Sequence, residues 1–226
     1  MTEKFSEILD KLDKKACLKQ KVYRESLEVF GLFRAKAARI AEVLAPQFLV
    51  KDPSVEIAFN DMGQFEFHLK FSGDTLVFMM HTNIFTFPPD HEISKYSYIN
   101  LHEERGYFGM IQIYNFLSDS LKYQRQTDVG YLLARIFTNK DKHIFVDGRR
   151  QLDYLYQDPE KNIISDEIIE NIIEQSMLYC LDFDLYAPPM EMLRAINIEQ
   201  KNFINNPSGV PTGKRVGFVI SDHHDS

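Results

Sequence analysis

The first 45 residues carry apolar side chains at helical spacing. Phe5, Ile8, Leu9 and Leu12 recur every three or four positions within residues 3–15, and the lysines lie mostly off that face. This pattern predicts an amphipathic helix at the start of the chain.

A longer helix is predicted over residues 18–45, with Pro46 as its stop, because a proline disfavours helical geometry in the residue before it. At 1.5 Å per residue this helix would be about 42 Å long. A helix of that length lies across a whole sheet or pairs with a partner helix, and the first arrangement is the more common. Its apolar and small positions are Leu18, Val22, Ser26, Phe30, Phe33, Ala37, Ile40 and Leu44.

After Pro53 the period of the pattern changes from about 3.6 to two. Apolar and polar residues alternate over 55–59 and again over 65–71, which predicts two half-buried strands. Residues 75–87 are apolar on both faces, as in a central strand, and Pro88 and Pro89 end it. Short turns between the three strands predict an antiparallel meander at about 54–87.

The middle of the chain is less regular. Residues 90–106 are polar and predict an exposed connection, and residues 107–117 predict another strand. The segment 127–137 predicts a short helix capped near Thr127 or Asp128. Within "HIFVDGRRQLDYLY", the pair Asp147–Gly148 predicts a hairpin turn between two apolar runs.

The C-terminal part returns to helical patterning. Ser165 is predicted to open a helix that runs to about Tyr179, followed by a helix near 190–204 and a last strand at 215–221. Strands that come in a run, with helices before and after, indicate an α+β fold with a largely antiparallel sheet. We expect one domain over residues 1–221, with an N-terminal helical segment at 3–46 and a flexible tail at 222–226.

Charge and composition exclude several classes of protein. The net charge of −7 argues against a nucleic-acid surface, although residues 1–50 carry 10 basic and 7 acidic residues, a balance of +3. No apolar run approaches the roughly 20 residues that span a bilayer, and the charged start does not resemble a signal peptide. Two distant cysteines, Cys17 and Cys180, give no disulfide framework, so we expect a reducing cytoplasm.

A first set of candidate ligands lies in "HTNIFTFPPDH", residues 81–91. His81, Asp90 and His91 offer the imidazole and carboxylate groups that divalent metals bind. Their spacing does not place two ligands on one side of a helix or strand. The simpler interpretation is a hydrogen-bonded core histidine beside a solvated acidic loop.

A second set lies on the meander. Glu66 and Lys70 share the polar face of one strand, and Glu56 on the preceding strand could sit across from them. Such an arrangement is loosely similar to metal-dependent nucleases, in which carboxylates hold the ion and a lysine stabilises developing charge. Charged residues are also ordinary on the wet face of an antiparallel sheet.

Arg149 and Arg150 form the third candidate site. Alternation along a strand would place them on opposite faces, so that at least one is exposed and can hold an anion or pair with nearby carboxylates. The chain has no G-x-G-x-x-G or G-x-S-x-G motif, and "SGVPTGKR" is one residue short of a P-loop.

Three blocks of the chain carry a resemblance to known proteins: "HTNIFTFPPDHEISKYSYI", "GYFGMIQIYNFLSDS" and "IFVDGRRQLDYLY". They look similar to a group of soluble proteins of Bacteroidetes-type bacteria for which no activity is known. The resemblance covers roughly residues 50–160 and implies a cytoplasmic bacterial origin. It implies no catalytic or binding residue.

Three functions remain open on this pattern. The leading hypothesis is a non-enzymatic binding or protein-interaction domain, with the N-terminal helix pairing in a homodimer. The second is a hydrolase of the phosphodiester type that uses a divalent metal as cofactor. The third is a protein that binds a small anionic ligand between helix and sheet.

Overall fold

A continuous helical run forms the N-terminal part of the computed structural model, which describes residues 2–184 and residue 198. Helix α1 spans Glu3–Lys11, a π-helical turn spans Leu12–Ala16, and helix α2 spans Cys17–Lys51. The backbone stays helical through both junctions, so the run is 49 residues long, about 73 Å at 1.5 Å per residue.

The predicted stop at Pro46 is wrong, because Pro46 lies inside α2. Pro46 is exposed, and so is Glu42, whose carbonyl would otherwise accept a helical hydrogen bond from residue 46. The helix ends instead at Asp52, whose backbone is extended with φ −158°, directly before Pro53.

Six antiparallel strands follow in chain order and form one sheet, β1-β2-β3-β4-β5-β6. The predicted α+β class with an antiparallel sheet is therefore confirmed. The strands are β1 Ile57–Asp61, β2 Glu66–Phe71, β3 Asp74–Phe85, β4 Phe108–Leu117, β5 Tyr131–Thr138 and β6 Ile144–Gly148.

Helix α2 lies across one face of this sheet, as its length predicted. The ring of Phe30 lies 5.1 Å from that of Phe67 on β2, and Phe33 lies 6.4 Å from Phe78 on β3. Phe67 and Phe78 stack on each other at 4.5 Å, and all four rings are buried. Packing of these large apolar surfaces holds the helix on the sheet.

Helix α2 approaches the sheet closely at Gly109 on β4. A β-carbon added at Gly109 would lie 1.9 Å from the hydroxyl oxygen and 2.6 Å from the β-carbon of Ser26. Ser26 is itself fixed, because it is buried and donates its hydroxyl hydrogen bond to the carbonyl of Val22 at 2.7 Å. Only glycine fits at this crossing.

The predicted helix at 127–137 is wrong, because this segment contains β5. Leu133 and Ala134 are buried, as are Ile136 and Phe137, since β5 lies between β4 and β6 and is covered on both faces. Covering both faces removes the alternation that marks a half-buried strand. Asp128 does not cap a helix: its carboxylate accepts a hydrogen bond from Ser120 at 2.6 Å in the β4–β5 connection.

The predicted hairpin turn at Asp147–Gly148 is also wrong. Both residues belong to β6 and pair with Arg135 and Ala134 of β5. The chain then turns into the short helix α5, Leu152–Leu155, and the β-carbon of Leu152 lies 2.6 Å from the position of a β-carbon on Gly148. The glycine therefore permits a close return of the chain rather than a hairpin.

Residues 90–106 connect β3 to β4 and are largely exposed, as their polarity predicted, but they are not irregular. They form two 3₁₀ turns, Glu92–Lys95 and Glu103–Gly106, on either side of the short helix α3, Ser97–Asn100. Three apolar residues among the polar ones are buried against the sheet face opposite α2 and form a second hydrophobic cluster there. Its buried members are Ile93, Tyr98, Ile99, Phe108, Met110, Phe137 and Phe145.

Asn139 anchors this segment to the β5–β6 turn. Its side chain is fully buried and its carbonyl accepts hydrogen bonds from the backbone N–H groups of Asp141 and His143, at 3.0 and 3.1 Å. Its amide donates to the Tyr98 hydroxyl at 3.3 Å and to the Arg105 carbonyl at 3.4 Å. Burial raises the pKa of the Tyr98 phenol above its usual value.

The helix predicted from Ser165 is confirmed as α6, Asp166–Leu181, and Ser165 accepts the backbone hydrogen bond of Ile168 at 3.2 Å. None of the helices in the described part of the chain is both long and apolar enough to cross a membrane. The predicted elements at 190–204 and 215–221 and the predicted tail lie outside the described residues, except for residue 198. The remaining short helices are α4 Ser118–Lys122 and α5 Leu152–Leu155.

Candidate functional site

The sheet face opposite α2 carries the polar side chains of the strands. One row of cross-strand neighbours runs across five strands, because residues directly opposite each other in an antiparallel pair point to the same face. From β2 to β6 this row consists of Glu66, Met79, Gln112, Arg135 and Asp147. It ends beside the second hydrophobic cluster.

Glu56, Glu66 and Lys70 lie on this face but do not converge. Lys70 forms an ion pair with Glu56, and its hydrogen bond lowers the pKa of the Glu56 carboxyl. Glu66 lies at the other end of β2 and contacts His68 at 2.7 Å. The lysine is therefore engaged by one of the two carboxylates, and the other has a different partner.

The second candidate set also has no shared partner: each of His81, Asp90 and His91 has its own local environment. His81 on β3 accepts a hydrogen bond from the backbone of Asn83 at 3.0 Å, and it is half-buried rather than a core residue. His91 accepts a hydrogen bond from the backbone of Ile93 at 3.2 Å and caps a 3₁₀ turn, while Asp90 is exposed. Across residues 2–184 and residue 198, no group of three or more His, Cys, Asp or Glu residues could hold a metal ion.

Arg149 and Arg150 are both exposed in the turn after β6. Arg150 lies 3.5 Å from the carboxylate of Asp182, and its guanidinium lies 4.9 Å from the centre of the Tyr179 ring. The two arginines line a small cavity of about 140 Å³ beside α6. Arg150 therefore pairs with a nearby carboxylate, as the acidic composition of the chain favours.

The apolar stripe of α1 has no cover among the described residues. Phe5, Ile8, Leu9 and Leu12 are each 45–54% exposed, and every residue from 3 to 15 is exposed. This part of the helix projects about 20 Å beyond the first residues that contact the sheet, at 1.5 Å per residue. An uncovered apolar stripe on a projecting helix is typical of a surface that binds another protein.

A cavity lies between the sheet and the segment that follows β3. Its volume is about 330 Å³, within the range of small-molecule sites. The sheet contributes Phe137 and Phe145 to its floor, and Arg135 and Asp147 stand at its mouth. The other lining residues are Phe87, His91, Glu92, Ile93, Tyr96 and Gln157.

Sequence reasoning did not find this cavity, although it selected His91 at its edge. Arg135 and Phe137 are two positions apart on β5, as Phe145 and Asp147 are on β6, so each pair shares a strand face. This spacing was the sequence signal for the cavity. The signal was hidden because residues 127–137 were predicted as a helix, which would scatter these side chains around its axis.

The chain matches no family model, no curated protein and no solved structure. The proposals on its function therefore rest on the geometry of its own residues.

Proposed function

We propose that the protein is a non-enzymatic interaction protein that forms a homodimer by pairing α1 with α1 of a second copy. The observation that carries the proposal is the apolar stripe of Phe5, Ile8, Leu9 and Leu12, which stays about half exposed on a helix projecting beyond the sheet. Pairing removes this apolar surface from water, which is favourable by about 25 cal/mol per Å².

A second copy suits this surface because the contact is isologous: each helix covers the stripe of the other. The charges near the N-terminus also permit the pairing of two α1 helices. Residues 3–16 carry four lysines and four acidic residues, so their balance is zero although the whole chain carries −7. Two ion pairs within the helix, Lys11–Glu7 at 2.6 Å and Lys14–Asp10 at 2.7 Å, keep these charges matched on the polar side.

The hydrolase interpretation stays a prediction. Its two ligand sets, Glu56 with Glu66 and His81 with Asp90 and His91, have separate partners among the described residues. We further propose a bacterial cytoplasm as the site of action. The chain has two cysteines, Cys17 exposed and Cys180 buried, and neither forms a disulfide, which suits a reducing compartment.

The double substitution Ile8→Glu with Leu12→Glu tests the proposal. We expect the unmodified protein to sediment with twice the mass of one chain and the variant to sediment as a monomer. Four apolar side chains leave the interface and four charges enter it, which weakens the dimer about 100-fold or more. Sedimentation equilibrium over a range of concentrations measures both dissociation constants.

The matched control is Leu49→Glu with Val50→Glu. These residues lie at the other end of the same helical run and are 71% and 86% exposed, so the control adds the same charges to the same element. The control should remain dimeric. A monomeric unmodified protein, or a control that dissociates as far as the α1 variant, contradicts the proposal.

A further inference from the structure

The floor of the 330 Å³ cavity is an aromatic surface of defined geometry. Phe137 and Phe145 stack on each other with ring centres 4.6 Å apart and planes 8° apart, and the Arg135 guanidinium lies 5.5 Å from the centre of the Phe137 ring. Phe87 stands against them nearly upright, at 5.0 and 5.2 Å, and forms one wall. Three rings in this arrangement offer both faces and edges to a further aromatic ring, which packs at similar distances.

The mouth of the cavity carries opposite charges side by side. The guanidinium of Arg135 donates two hydrogen bonds to one carboxylate oxygen of Asp147, from Nε at 2.8 Å and from Nη2. Within the described residues, neither Arg135 Nη1 nor the second oxygen of Asp147 takes part in a hydrogen bond. Both side chains are more than 40% exposed, so the pair itself contributes little to stability and remains open to a ligand.

We propose that this cavity binds a small zwitterionic aromatic molecule of the amino-acid class. The ring of the ligand packs on Phe137 and Phe145, its carboxylate accepts from Arg135, and its ammonium donates to Asp147. A purely anionic ligand would meet the carboxylate of Asp147, and a purely cationic ligand would meet Arg135. A molecule that carries both charges within a few bonds of its ring satisfies both groups at once.

L-Tryptophan is a suitable probe, because the chain contains no tryptophan and the ligand can be excited at wavelengths longer than its 11 tyrosines absorb. We expect a saturable change in that fluorescence with a dissociation constant below about 1 mM. Tryptamine lacks the carboxylate and indole-3-propionate lacks the ammonium, so both should bind at least about tenfold more weakly.

Two substitutions test the contributions of the Arg135 and Asp147 charges separately. Arg135→Gln should weaken binding of L-tryptophan about tenfold or more and leave tryptamine unaffected, and Asp147→Asn should spare indole-3-propionate instead. Arg150→Gln is the matched control, because Arg150 is an exposed, carboxylate-paired arginine that does not line this cavity. The proposal is overturned if L-tryptophan does not bind, if the three probes bind equally, or if Arg135→Gln and Arg150→Gln behave alike.

Discussion

Gly109→Ala is expected to lower the free energy of unfolding by about 3 kcal/mol or more, since overpacking a tight contact typically costs 1–3 kcal/mol and more where neighbours cannot move. The added β-carbon would lie 1.9 Å from the hydroxyl oxygen of Ser26. Ser26 cannot yield easily, because it is buried and bonded to the helix backbone. In a domain of this size the midpoint of thermal unfolding should fall by roughly 6–12 °C.

Gly31→Ala is the matched control for this substitution, and its effect should have the opposite sign. Gly31 lies on the exposed side of α2, and nothing lies within 4 Å of the position of its β-carbon. Alanine in a helix interior is more stable than glycine by about 0.5–1 kcal/mol. Urea unfolding of both variants measures the difference. If Gly109→Ala proved as harmless as Gly31→Ala, α2 could not cross the sheet at Ser26.

Asn139→Ala is the second substitution with a large expected effect. It removes the acceptor of the backbone N–H groups of Asp141 and His143 and the donor to Tyr98 and Arg105. Each buried polar group left without a partner costs roughly 1–3 kcal/mol, so we expect a loss of about 3 kcal/mol. Two of these four contacts, to Tyr98 and Arg105, join the turn to the segment 97–106.

Hydrogen exchange distinguishes this loss from general destabilisation. In Asn139→Ala the amides of residues 97–106 should exchange faster than those of β2 and β3, because the anchor of that segment is gone. Asn60→Ala is the control: Asn60 is exposed on β1, and its loss should change stability by less than about 0.5 kcal/mol. Uniform acceleration over the whole chain would contradict the role of Asn139 as an anchor.

The sequence predicted those elements whose two faces differ. The apolar positions of α2 from Val22 onward and the alternation from Phe65 to Phe71 each have one side on the core and the other toward water, so their periods were legible. The helix after Ser165 was predicted from its cap and its acidic first turn. In each of these cases the local pattern and the final environment agree.

The wrong predictions share a physical cause. In each of them, the burial or solvent contact of a residue depends on parts of the chain that are distant in sequence. β5 is covered on both faces by α2 and by the segment after β3, so its alternation disappears. Pro46 is tolerated on the exposed side of α2, where water can bond to the Glu42 carbonyl that lacks its helical donor. The burial of Ile93, Tyr98 and Ile99 in the segment 90–106 was missed because these residues are scattered among polar ones.

Candidate sites were harder to predict than elements, since a site depends on which strands become neighbours. Arg135 and Asp147 are twelve residues apart in the chain and meet only because β5 pairs with β6 in one particular register. The carboxylates at 56 and 66 do share a sheet face, yet Glu56 is engaged by Lys70 and Glu66 by His68. The partners of these residues in the folded chain could not be predicted from their spacing in the sequence.

Cross-linking through one introduced cysteine tests the pairing of α1 most directly. Cys17 is first replaced by serine, and a cysteine is then placed either at Leu9, in the apolar stripe, or at Asp10, on the polar side of the same helix. If α1 pairs with α1 of a second copy, mild oxidation should link most chains of the Leu9→Cys variant into covalent dimers and few of the Asp10→Cys variant. Equal linkage at both positions, or none at Leu9, would contradict the account.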